Sequence, residues 1–218
     1  MIYLSGCPSV IKRKGLLGRR KDLGIMLTPN GNQYTGQLLE TVLMAGPWAA
    51  DSGCFSDPHG FSLDGYLAWL AAYRCGAPRC LFAPAPDVVA DPVKTWERSE
   101  PVLPLIRQLG FAAALVAQDG IESMHIPWQS FDALFIGGST QWKLSRAAFG
   151  LIQEAKRRNK WTHVGRVNTR GRLRMAAAAG AGSVDGTYLR FGPDTNLPKL
   201  TAWLDELHRQ PFLVTWVR

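Results

Sequence analysis

Eight short apolar runs, each ended by Gly, Pro, Asp or Asn, constrain the fold of this chain more than any other feature. They lie near residues 2–5, 24–28, 48–51, 80–84, 112–118, 133–137, 162–167 and 183–187. Between most of them sit amphipathic stretches of helical length, such as 63–74, 91–109, 143–159 and 170–179, and another at about 197–210 follows the eighth run. Strands alternating with helices imply parallel pairing. Eight such units predict an α/β chain closed into a single (β/α)8 TIM-like barrel; an open doubly wound sheet is the competing arrangement. The 218 residues are few for a barrel, so some helices must be clipped. No repeat, low-complexity tract or linker divides the chain, and 1–218 reads as one domain.

Composition narrows the class. Hydrophobic residues make up 46% and charged residues 19%, a globular balance. No apolar run is long enough to span a membrane. The first charges follow a short apolar stretch, the reverse of a secretory signal, so a cytoplasmic location is expected. The four cysteines, Cys7, Cys54, Cys75 and Cys80, form no CxxC pair, and His59, His125, His163 and His208 show no metal spacing. The cysteines read as buried free thiols, the histidines as structural, and neither metal nor cofactor is expected. Lys plus Arg number 25 against 17 Asp plus Glu, a net +8 that favours polyanionic partners.

In a barrel the chemistry lies at the C-terminal ends of the strands. Those ends carry Asp51, Asp87, Gln118, Gly137, Gly138, Arg166, Asn168 and Asp185. Any one of them alone is as well explained by a turn or helix cap. Their convergence on one rim is harder to explain that way. In 50–56, Asp51 ends a strand, Gly53 permits a tight turn and Phe55 follows, an arrangement able to hold a flat heterocycle. Two short stretches hold 14 of the 25 basic residues. Lys12, Arg13, Lys14, Arg19 and Arg20 follow the first strand and are expected on the catalytic rim. Arg166, Arg170, Arg172 and Arg174 follow the seventh strand, where barrels often bind phosphate, with Asn168 and Thr169 as neutral donors. The basic residues of 156–160 precede that strand and are expected on the opposite face.

These pieces resemble the tRNA-guanine transglycosylase superfamily. Its Asp-Ser-Gly-Gly-aromatic motif corresponds to Asp51-Ser52-Gly53-Cys54-Phe55, with Cys54 in place of the second Gly. Its later Gly-Gly segment resembles Gly137-Gly138, and its nucleophilic Asp matches Asp185 in Ser183-Val184-Asp185-Gly186-Thr187. Asp87 and Gln118 stand where the family reads the guanine edge. The ordered set covers about 48–187. The family's zinc subdomain is absent, since no cysteine follows Cys80. This compact form is similar to the zinc-less 7-deazaguanine DNA transglycosylases of phages and bacterial DNA-modification islands.

The resemblance implies replacement of guanine in DNA by a 7-deazaguanine such as 7-cyano-7-deazaguanine, with tRNA as the alternative substrate. Exchange without strand cleavage requires displacement at the anomeric carbon. Asp185 is then the nucleophile and Asp51 the group that handles the proton of the leaving and incoming base. Asp87 would accept from guanine N1 and N2, and Gln118 would donate to O6. The amides of Gly137 and Gly138 would meet O6 or the 7-substituent, Phe55 would stack on the flipped base, and Gly186 would let the sugar approach. Asp91 and Asp119 are the alternatives if the register slips, although Asp91 before Pro92 reads as a helix cap. A nucleic-acid-binding barrel without catalysis, or a base-excising hydrolase, would share the basic rim. A homo-oligomer or a helper protein is compatible with the sequence.

Overall fold

A computed structural model describes residues 1–16, 18–31, 36–56 and 59–209, with the side chains of 12, 13 and 36–39 outside that description. Each apolar run forms a strand: β1 (Ile2–Ser5), β2 (Leu23–Leu27), β3 (Trp48–Ala50), β4 (Ala83–Pro84), β5 (Ala113–Ala117), β6 (Ala133–Ile136), β7 (Trp161–Val164) and β8 (Ser183–Gly186). All pair in parallel in the order β3-β2-β1-β8-β7-β6-β5-β4. The ends of that order meet. Trp48 bridges Cys80, the Ala50 amide donates to the Phe82 carbonyl at 3.0 Å, and the Leu81 amide donates to the Trp48 carbonyl at 2.8 Å. The sheet is therefore a (β/α)8 barrel and not an open doubly wound sheet.

The helices differ from their sequence outlines where proline or serine intervenes. The stretch 91–109 is two helices, α4 (Pro92–Ser99) and α5 (Leu103–Gln108). Pro101 and Pro104 lack the N–H groups that a continuous helix would need there. The stretch 143–159 is likewise α6 (Thr140–Lys143) and α7 (Arg146–Arg157), because Ser145 caps α7 by accepting from the Ala148 amide at 3.3 Å. The remaining helices are α1 (Pro8–Arg13), α2 (Gly36–Ala45), α3 (Leu63–Ala72), α8 (Arg170–Ala179) and α9 (Pro193–Arg209). Helix α9 starts four residues before its expected first residue, and Gln210 lies outside the described residues. Among the described residues no helix is long and apolar enough to cross a membrane.

Strand parity divides the core in two. Tyr3, Ile25, Trp48, Leu115, Leu134 and Val184 face the helices and join one large cluster. There α7 presents Ala148, Phe149, Leu151, Ile152 and Ala155, one face at helical spacing. Leu4, Met26, Ala49, Phe82, Ala114 and Ala133 form the second cluster, with Phe135 and Trp161 against it, and fill the barrel interior. Burying a side chain the size of Phe82 contributes roughly 2–3 kcal/mol. The inward parity carries to the strand ends and beyond: Asp185 is two residues after Ser183 within β8, Asp51 is two beyond Ala49, and Gln118 is four beyond Ala114.

Candidate active site

That parity places polar groups over an apolar floor. Asp51, Phe55, Asp87, Gln118, Gly137, Gly138, Arg166 and Asp185 line one cavity of about 610 Å3, partly open to solvent, at the C-terminal ends of the strands. The eight residues come from six different strand ends. Asp91 and Asp119 are elsewhere. Asp91 caps α4, accepting from the Lys94 amide at 2.9 Å, and Asp119 accepts from the Ser139 amide at 2.7 Å.

Asp51 accepts from the Gly53 amide at 2.8 Å, in a turn for which Gly53 adopts φ +78°. Burial pushes its carboxyl up to about 6; the Gly53 hydrogen bond opposes the shift, and the charges of Asp185 and Asp87 add to it. Asp51 is thus suited to hold a proton near the cavity floor. Phe55 is 54% exposed and stands at the cavity, not in the core. The Arg166 guanidinium lies 5.0 Å from its ring centroid.

Asp87 and Gln118 form one unit. Gln118 donates through Nε2 to Asp87 Oδ2 at 2.6 Å, and its Oε1 accepts from the amides of Ala90 and Gly138 at 3.0 and 3.1 Å. Cys54 donates through its thiol to Asp87 Oδ1 at 3.1 Å. Burial, with the Asp87 charge, pushes that thiol up to about 11, so it stays a donor. Cys54 therefore helps to position Asp87. The glycine amides are not free for a ligand: Gly138 donates to Gln118, and Gly137 donates to the Ala117 carbonyl at 3.0 Å. Their expected contact with the base is corrected accordingly.

Asp185 Oδ1 accepts from the Arg166 amide at 3.1 Å and is hydrogen-bonded with His163 Nε2 at 3.0 Å. Arg166 adopts φ +61°, a strained conformation for a residue with a side chain, and its guanidinium donates to the Gly138 carbonyl at 2.9 Å. A Cβ on Gly186 would meet Asn168 Oδ1 at 2.4 Å and Tyr3 Oη at 2.5 Å. Protein atoms fill the space that the sequence assigned to the sugar, so Gly186 serves packing.

The basic residues separate into two groups. Lys143, which the sequence did not single out, is buried beside the cavity and donates to the Gly165 carbonyl at 3.0 Å. Burial, with the Arg166 charge, lowers it to about 8. Lys143, Arg166 and Arg172 also line an adjoining, mostly apolar hollow between α6, α7 and α8. Arg170 instead pairs with Glu206 at 2.7 Å, Asn168 accepts from the Thr187 amide at 2.8 Å, and Thr169 caps α8. Those three are held by protein partners.

The stretch after β1 requires a larger correction. Six residues of α1 carry the chain away from the rim, and it re-enters the sheet at the N-terminal end of β2. Arg19 and Arg20 therefore lie toward the opposite end. Arg20 pairs with Asp22 at 2.7 Å and Asp205 at 2.6 Å, and His208 reaches Asp22 at 3.1 Å. Lys14 pairs with Asp194 at 2.5 Å. The side chains of Lys12 and Arg13 lie outside the described residues. The residues of 156–160 follow expectation: Arg157 and Arg158 pair with Glu154, and Lys160 donates to the Phe131 carbonyl at 2.7 Å. Cys75 is exposed, contrary to the expectation for the thiols. Among the described residues no group of three or more His, Cys, Asp and Glu side chains could hold a metal ion.

No family model matches the chain, and no curated protein matches it. The solved structures it resembles include one described as "Native KDPGal structure", at 13% identity and TM-score 0.59, covering 96% of this chain and 95% of that one. Another, "PaMucR Phosphodiesterase, c-di-GMP complex", has 11% identity and TM-score 0.43 over 70% of this chain and 68% of that one. The first likeness is one of fold, and it agrees with the eight parallel strands: the chain is a (β/α)8 barrel.

Proposed function

We propose that the chain is a nucleic-acid guanine transglycosylase, a glycosyltransferase that exchanges guanine in DNA for a 7-deazaguanine base. The observation that carries this reading is the single cavity shared by Asp51, Asp185 and the Asp87–Gln118 pair. The ordered resemblance of 48–187 supplies the chemistry.

Asp185 Oδ2 attacks C1′ of the extruded nucleotide. The C1′–N9 bond breaks, its electron pair passes to the purine, and Asp51 delivers a proton to the leaving base. In the second half the incoming base attacks C1′, its proton returns to Asp51, and the C1′–Oδ2 pair returns to Asp185. Raised Asp51 beside an Asp185 held by two donors is the division of labour this needs. Asp87 offers acceptor lone pairs to guanine N1–H and N2–H, and Gln118 offers its second Nε2–H to O6. Phe55 stacks on the base. Lys143, Arg166 and Arg172 hold the adjacent phosphate. DNA is favoured over tRNA by the resemblance to the DNA transglycosylases of phages and bacterial DNA-modification islands.

The test is incorporation of labelled guanine, and separately of labelled 7-cyano-7-deazaguanine, into DNA and tRNA by the purified protein. Label in DNA that is lost with Asp185→Asn supports the proposal. Label in tRNA alone transfers it to RNA. No label in either, with DNA still bound, leaves a binding barrel.

A further inference from the structure

We propose that His163 is a positioning residue: a neutral imidazole, protonated on Nε2, that fixes one oxygen of Asp185 and leaves the other for the cavity. The proposal rests on Asp185 as the reacting carboxylate.

The tautomer follows from a chain of hydrogen bonds with one direction. The Trp161 indole N–H can only donate, and it donates to Ser183 Oγ at 2.9 Å. The Ser183 hydroxyl hydrogen is then free to go to His163 Nδ1, also at 2.9 Å. Nδ1 accepts, so Nε2 carries the hydrogen and donates to Asp185 Oδ1 at 3.0 Å. A doubly protonated ring would point an N–H at Ser183 Oγ. Its hydroxyl hydrogen would then need another acceptor at a site with no solvent exposure.

The sequence builds this chain from strand parity. Trp161 and His163 are two apart on β7, Ser183 and Asp185 two apart on β8, and His163 pairs in register with Ser183. All four side chains share the inward face. His163 has no exposed surface and is wedged between Phe82 and Phe135, with ring centroids 4.8 and 4.5 Å away. A ring flip that exchanged the two nitrogens would have to displace those rings. The Arg166 amide meets the same Oδ1 from the loop above β7. Oδ1 is thus occupied on two sides, and Oδ2 is the oxygen left to attack.

This gives His163 a role in orientation and none in proton transfer. A carboxylate free to rotate would present either oxygen, and loss of a near-attack geometry costs about 100-fold in rate. Gln at 163 can reproduce both polarities, with its Oε1 accepting from Ser183 and its Nε2 donating to Asp185. Phe at 163 keeps the ring packing and removes both hydrogen bonds.

The experiment has two arms. Nitrogen-15 NMR of the imidazole in the intact protein at neutral pH should show Nε2 protonated and Nδ1 bare. The Nε2 proton should exchange faster with solvent in Asp185→Ala. A ring protonated on Nδ1, or on both nitrogens, overturns the proposal whether or not exchange is ever observed. In the base-exchange assay, His163→Phe should lose about 100-fold in kcat with DNA affinity retained, and His163→Gln should stay within about tenfold of the parent. Equal losses in the two variants, or none in His163→Phe, overturn it. If His163→Phe does not fold, the NMR arm decides. If the parent protein exchanges no base, the function proposed above fails while the tautomer is still tested.

Discussion

The two ends of the barrel treat charge in opposite ways. At the N-terminal end of β2, Arg20 sits between Asp22 and Asp205, and His208 completes the group. Burial alone would raise the Asp22 carboxyl; the hydrogen bonds and charge of Arg20, with the His208 hydrogen bond, overcome that and hold it low. At the C-terminal end three carboxylates converge. Asp51 is pushed up to about 6 there, and Lys143 is pushed down to about 8. One end settles its charges in pairs and the other keeps them in tension. That is the pattern expected where stability and chemistry are separated on one scaffold.

Substitutions at the two ends should therefore diverge. Asp185→Asn should show the largest effect: loss of covalent trapping and a fall in exchange of about 10⁴-fold, with the fold intact by circular dichroism. Exchange at the parental rate would remove Asp185 from the chemistry. Asp51→Asn should slow exchange by about 100-fold or more and, at the same time, stabilise the protein. The sign follows from linkage. The folded protein holds the Asp51 proton more tightly than the unfolded chain, so stability falls as pH rises from about 4 through about 6 and stays lower above. Removing the charge should recover roughly 3 kcal/mol at pH 7 and almost nothing below pH 4, read by urea titration at both values. A destabilised Asp51→Asn at pH 7 would contradict the tension at that end.

Arg20→Met should do the reverse, costing roughly 1–3 kcal/mol while leaving exchange unchanged, because it strands the nearly buried Asp22. The Asp22 contribution is present above the ordinary carboxylate range and is lost as pH falls through the lowered value. The penalty should therefore shrink in acid. The smallest effect belongs to Arg172→Ala, which should weaken DNA binding mainly at low salt and reduce the salt slope by about one. A matching change from Arg170→Ala would show that its Glu206 pairing does not withdraw it from the rim.

The barrel was legible because its strands are apolar runs of fitting length with polar residues at their C-terminal ends. Asp51, Gln118 and Asp185 were legible for the same reason: period two carries each from the interior onto the rim. Arg19 and Arg20 were misplaced because nothing in their composition shows that α1 ends after six residues and turns the chain toward the other end. His163 was read as a structural histidine and is one, fully buried with both ring nitrogens hydrogen-bonded; its contact with Asp185, 22 residues away, was not legible because it arises only through the β7–β8 register. Lys143 was missed because a lysine within a helical outline carries no sign of burial. Cys54 was noted as a departure from the motif, but its hydrogen bond to Asp87 spans 33 residues and belongs to tertiary structure. Gly186 illustrates the opposite error, since this glycine next to Asp185 makes room for Tyr3 and Asn168.

The closure between β3 and β4 has a mechanical meaning for the cavity. Strand β4 has two residues, one of them Pro84 with no amide to donate, and the joint rests on the Trp48–Cys80 bridge and its neighbouring hydrogen bonds. Asp51 follows one strand of that joint and Asp87 follows the other. A wedge driven into this barrel from above would part it first along its least-laced seam. Any flat ligand entering between those two carboxylates would be such a wedge. The width of the slot that receives it is thus set by the staves that are held together most lightly.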